Sequence, residues 1–116
     1  MEKFNLERPS FERKDEIIEY INEFVEYNSE INGTGGLDKT IEGYTFEQAL
    51  ERCLSMEDAN YAKKINRCQS KTFLLIREND NRIVGTINVR WNLTEAMKQF
   101  GGNIGYGIRP TERRKG

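Results

Sequence analysis

The sequence predicts an α+β domain, a mostly antiparallel sheet with helices packed on it. Apolar residues recur at helical intervals over residues 17–25 and again over residues 46–54. Two runs rich in β-formers, residues 72–77 and 83–91, flank the turn-forming Asn79-Asp80-Asn81. A third alternating run spans residues 104–108 and stops at Pro110. Taken in order, the elements read β-α-α-β-β-(α)-β.

Residues 4–6 form a short first strand, halted by Pro9. Ser10 is then positioned to cap a helix whose first turn carries Glu12, Asp15 and Glu16 near its positive end. Ile17, Ile18, Ile21, Phe24 and Val25 share one face of that helix. Residues 29–43 hold four glycines and no apolar period, so they read as a long loop, either a lid over a ligand or a surface excursion. Thr45 and Gln48 have capping-box spacing ahead of Phe46, Ala49, Leu50, Cys53 and Leu54. A less regular helix runs through Ala59, Ala62 and Ile65.

In the run 83–91, simple alternation groups Ile83, Ile87, Val89 and Trp91 on a core face. Thr86, Asn88 and Arg90 take the other face, which is solvated or lines a pocket. Residues 93–100 suit a short helix ended by Gly101-Gly102. In the last strand Ile104, Tyr106 and Ile108 alternate against Asn103, Gly105 and Gly107. Tyr106 and Trp91 read as core or rim aromatics.

The chain of 116 residues has room for one domain, spanning 1–116. With 36% hydrophobic and 32% charged residues it has the composition of a soluble globular protein. No apolar run approaches the ~20 residues a membrane span needs, and no signal-peptide core follows Met1, so a cytoplasmic location is expected. Cys53 and Cys68 fit no metal or redox spacing and read as free, partly buried thiols rather than a disulfide. The absence of histidine removes His-based zinc sites, Ser-His triads and an imidazole base. No resident metal is expected.

A net charge of −1 argues against nucleic acid as a partner, but the charges are unevenly spread. Residues 12–30 hold seven acidic side chains against Arg13 and Lys14, a pattern read as a solvated helix face. Residues 109–116 hold four basic side chains against Glu112. Glycines weaken a strand unless something must approach its backbone closely, and Gly105 and Gly107 stand just before this basic run. Strand, basic turn, then helix is an anion-binding arrangement, because exposed backbone N–H groups and cations converge there.

The run Gly101-Gly102-Asn103-Ile104-Gly105-Tyr106-Gly107-Ile108-Arg109-Pro110-Thr111-Glu112-Arg113-Arg114-Lys115-Gly116 resembles motif A of the GNAT N-acetyltransferases. In that family the strand leads through a proline into R/Q-x-x-G-x-G/A, and Arg113 and Gly116 match its first four positions. The four letters alone recur at residues 82–85 and 99–102, where no G/A follows two residues later. The specificity therefore lies in the sixteen-residue context. Residues 83–90 are similar to the family's third strand, and the upstream element order is similar to its N-terminal arm. Asn103 departs from the histidine that related sequences often carry.

The resemblance implies the N-terminal half of the GNAT acyl-CoA N-acyltransferase fold, ending inside motif A. It implies transfer of acetyl from acetyl-CoA, the cosubstrate, to a primary amine on a small molecule or peptide. Ile108, Arg109, Arg113, Arg114, Lys115 and Gly116 are the implied cofactor-binding residues, with a backbone N–H near Ile108 polarising the acetyl carbonyl. Asn88, Arg90 and Asn103, together with residues 29–43, are the candidate acceptor side. No catalytic residue is named; a glutamate acting through water is the expected base. The family's further strand and helix lie beyond Gly116, so the chain by itself is expected to have reduced or no activity. It is also expected to form a homodimer through the open last strand. The competing reading is a non-catalytic interaction module on the same scaffold.

Overall fold

A computed structural model describes residues 2–91 and 104–113. The chain runs β1 (Phe4–Glu7), α1 (Lys14–Glu26), α2 (Phe46–Ser55), α3 (Ala59–Lys64), β2 (Gln69–Arg77), β3 (Arg82–Trp91) and β4 (Ile104–Ile108). Three 3-10 turns, Phe11–Arg13, Leu37–Glu42 and Pro110–Glu112, punctuate it. The four strands form one antiparallel sheet in the order β1-β2-β3-β4. Among the described residues no helix is long and apolar enough to cross a membrane. The short helix expected at 93–100 lies outside the described residues.

Local signals explain several boundaries. The Gln48 N–H donates to Thr45 Oγ1 at 3.1 Å while the Thr45 N–H donates to Gln48 Oε1 at 2.9 Å, closing the predicted capping box of α2. Asp58 caps α3 by accepting the N–H groups of Asn60 and Tyr61. Ser10 takes the extended N-cap conformation, but its hydroxyl makes no capping bond. Glu78 to Asn81 turn the β2–β3 hairpin, with Asn81 left-handed at φ 55° and Asp80 accepting from Arg77.

The core lies between one face of the sheet and α1, α2 and the turn Leu37–Glu42. From α1 it takes Ile17, Tyr20, Ile21 and Phe24, and burying each aliphatic or phenyl side chain contributes about 1.5–3 kcal/mol. Val25, expected on that face, is exposed, and so is Leu54 of α2. Residues 29–43 are no loose excursion: Thr34 and Leu37 are buried, and Gly33 lies against the backbone of Tyr106.

Simple alternation fails in β3. Ile83 pairs with Ile76, but Gly85 pairs with Leu75, so Val84 is an extra residue in a β-bulge. Past it the strand changes phase. Ile83 faces the helices, and so do Thr86 and Asn88, which pair with the buried Leu74 and Thr72. Ile87, Val89 and Trp91 are turned to the opposite face, so the predicted grouping of these three with Ile83 is corrected. Through its pairing with β3, β4 presents Ile104, Tyr106 and Ile108 to that opposite face and its glycines to the helices. Ile104 and Tyr106 are 54% and 68% exposed, so Tyr106 is no core aromatic.

Candidate functional site

The corner after β4 is built from charges that arrive from three elements. Arg109 is 1% exposed. Its Nε and Nη2 donate to Glu23 Oε1 at 3.0 and 2.7 Å, Nη1 donates to the Ile83 carbonyl at 2.9 Å, and Nη2 also reaches Glu19 Oε2. The other oxygen of Glu23 accepts both the backbone N–H and the hydroxyl of Thr111. Glu112, next in the chain, accepts from Arg77 and Arg82. Pro110–Glu112 is therefore fastened to α1 on one side and to the β2–β3 hairpin on the other.

The titration of these groups follows the geometry. Burial pushes the Glu23 carboxyl up, but its bonds from Arg109 and Thr111 outweigh that and hold it below the ordinary carboxylate value. Burial likewise works against the Arg109 charge, and Glu23 and Glu19 more than offset it, so the guanidinium stays ionised. Tyr20 lies beneath the same corner, its hydroxyl 3.3 Å from both Thr86 Oγ1 and the Gly107 carbonyl. Burial raises its pKa to about 12.

This corrects two expectations. Glu23 is no member of a solvated acidic face, and the Arg109 guanidinium is turned into the protein rather than toward a phosphate. Its backbone N–H is also committed, donating to the Val84 carbonyl at 3.0 Å. The missed signal for Glu23 is its position: it sits between Tyr20 and Phe24 on the buried stripe of α1. Arg113 is exposed, with Nε donating to the Ile108 carbonyl, Nη2 donating to Ser29 Oγ and the guanidinium over the Phe24 ring.

The glycines of β4 have a structural partner. A Cβ on Gly107 would lie 2.8 Å from the Asn32 carbonyl oxygen, and one on Gly33 would lie 2.5 Å from Tyr106 Cα. What approaches the strand closely on its helix-side face is the chain at 32–33.

Beyond that crossing lie two polar pockets that share Gly35, Asn88 and Arg90 in their walls. One, of about 280 Å³, is lined by Gly35, Lys39, Arg52, Arg67, Cys68, Ser70, Asn88 and Arg90 with Met56. The other is also about 280 Å³ and lies between residues 31–36, Asp38, Asn88, Arg90 and Gly105. Asn88 is buried and donates from Nδ2 to Thr72 Oγ1 at 2.9 Å. The Arg90 Nε is buried with no hydrogen-bond partner.

Of the sequence-predicted residues, folding thus brings Asn88 and Arg90 together with residues 31–38. Ile108, Arg109 and Arg113 sit at the other end of β4 and its corner. Asn103, Arg114, Lys115 and Gly116 lie outside the described residues. Lys39 falls within the expected loop 29–43, but Arg52 and Arg67 were not anticipated, since nothing in their local sequence links positions that only the tertiary fold joins. Cys53 and Cys68 are both buried, and no disulfide joins them. No protein-family model, curated protein or solved structure matches this chain.

Proposed function

We propose that the chain is an acetyl-CoA-dependent N-acetyltransferase acting on a primary amine. The observation that carries this reading is the end of β4, a glycine-bearing strand that turns at Arg109-Pro110 into the basic run from Arg113. The antiparallel order of the strands and the helices ahead of them support it.

In this reaction the deprotonated amine attacks the thioester carbonyl carbon, giving a tetrahedral oxyanion. The C–S bond then breaks, and CoA leaves as a thiolate that takes up a proton. A backbone N–H of β4 near Ile108 meets the developing oxygen charge. Arg113 offers an exposed guanidinium beside the strand, and the resemblance assigns the pyrophosphate to Arg113, Arg114, Lys115 and Gly116. Arg109 has a positioning role: by pinning the corner to Glu23 it fixes where that turn begins. With no histidine in the chain, proton removal falls to a carboxylate acting through water. Calorimetric titration with acetyl-CoA tests the reading. Saturable binding that weakens in Arg113→Gln is expected, and no binding overturns it.

A second reading is favoured by the exposure of Ile104 and Tyr106 on β4, an edge strand of the described sheet. An open edge is a template for pairing with another chain, so self-association through β4 fits an interaction module. A monomer by light scattering at high protein concentration removes it.

A further inference from the structure

Among the described residues, the pocket lined by Lys39, Arg52, Arg67 and Arg90 has four cations and no carboxylate on its wall. That is unusual in a chain whose 18 basic residues are matched by 19 acidic ones. Most other described guanidiniums are paired with acids: Arg8 with Glu57, Arg13 with Glu7 and Glu16, Arg77 with Asp80 and Glu112, Arg82 with Glu112, Arg109 with Glu19 and Glu23, whereas Arg113 donates to the Ile108 carbonyl and Ser29. Lys39 has Glu42 at 3.6 Å. Among the described residues, Arg52, Arg67 and Arg90 have no acidic partner, and the buried Nε of Arg90 has no acceptor. A buried donor without an acceptor is costly.

The second pocket differs in character. It shares Gly35, Asn88 and Arg90 with the first, but adds the backbone at 31–36 and the carboxylate of Asp38, which Thr34 Oγ1 orients at 2.7 Å. It ends at Gly105 of β4. The two pockets therefore set an arginine-lined wall beside one with a carboxylate, with Gly35, Asn88 and Arg90 common to both.

We propose that these adjoining pockets bind a small zwitterion, with a carboxylate or phosphate among Arg52, Arg67 and Arg90 and an ammonium group toward Asp38. As an acetyl acceptor, such a molecule would carry its amine toward β4. That acceptor role rests on the acetyl-transfer reading, whereas the oxyanion site does not.

The test is an NMR titration of the full chain with inorganic phosphate and, separately, with glycine and glycinamide, in the absence of acetyl-CoA. Phosphate and glycine are expected to saturate and to shift amides at 35–39, 67–70 and 88–90. Glycinamide, which lacks the oxyanion, is expected to bind about tenfold more weakly or worse, as the loss of a charge-assisted bond requires. Arg52→Gln and Arg90→Gln should each weaken phosphate binding by a similar factor, while Lys71→Gln, at a residue that stacks on Phe73 away from the pockets, should not. The wild-type shift map stands without any variant. Shifts confined to 113–116, or equal binding of glycine and glycinamide, overturn the proposal. Failure of acetyl-CoA to bind, with these shifts intact, would overturn the transferase reading alone.

Discussion

Replacing Glu23 with glutamine removes one charge and almost no volume from a site that Arg109 cannot leave. In the native chain Glu23 accepts two bonds from Arg109 and two from Thr111, all between 2.7 and 3.0 Å. Breaking a buried pair by neutralising one partner costs about 3–5 kcal/mol, because the other charge is left in low dielectric. Glu19 retains its bond to Arg109 but is largely exposed, so it compensates only in part. The expected loss is therefore about 3 kcal/mol, near the lower end of that range. For a chain of this size that corresponds to a fall in Tm of roughly 10 °C or more.

Urea unfolding followed by circular dichroism measures the loss directly, and the double variant Glu23→Leu with Arg109→Met supplies the control. Removing both charges should recover much of the loss, since a buried pair replaced by apolar side chains is often close to neutral. A Glu23→Gln protein within about 0.5 kcal/mol of the parent would refute the reasoning, because pairs of that worth are surface pairs. The pH dependence gives a second check. The folded Glu23 carboxyl lies below its ordinary value, so its contribution is complete above the unfolded value of about 4.3 and is lost as pH falls through the folded value. Glu23→Gln should lack that acid-side component.

Four other outcomes follow from the packing. Gly33→Ala combines φ +77° with a Cβ 2.5 Å from Tyr106 Cα and should cost about 2–4 kcal/mol by thermal unfolding. Gly43→Ala, at φ +101° with open space around it, should cost only about 1–2 kcal/mol. Thr45→Ala removes the hydroxyl that caps α2 and should cost about 1 kcal/mol in the same assay. In a tyrosine absorbance titration the component lost in Tyr20→Phe should ionise near pH 12. Because its folded pKa is raised, the associated stability is complete below the unfolded value of about 10 and is lost as pH rises through about 12. A complete five-tyrosine transition near pH 10 in the folded protein would contradict this.

What the sequence determined by itself is local. The capping box at Thr45, the stripe of α1 and the antiparallel hairpin around Asp80 depend on neighbours a few residues apart. It also indicated that something must lie against the glycines of β4. Tertiary structure decided what that was: the chain at 32–33, some seventy residues earlier. The phase of β3 was likewise hidden, because one bulged residue, Val84, reverses which side chains face the helices without altering their alternation on either side. Arg109 shows the same limit most plainly. Its neighbours in sequence are basic and suggest a phosphate, while its neighbours in space are Glu19 and Glu23. Coulomb attraction depends on distance through the fold, and position along the chain does not report it.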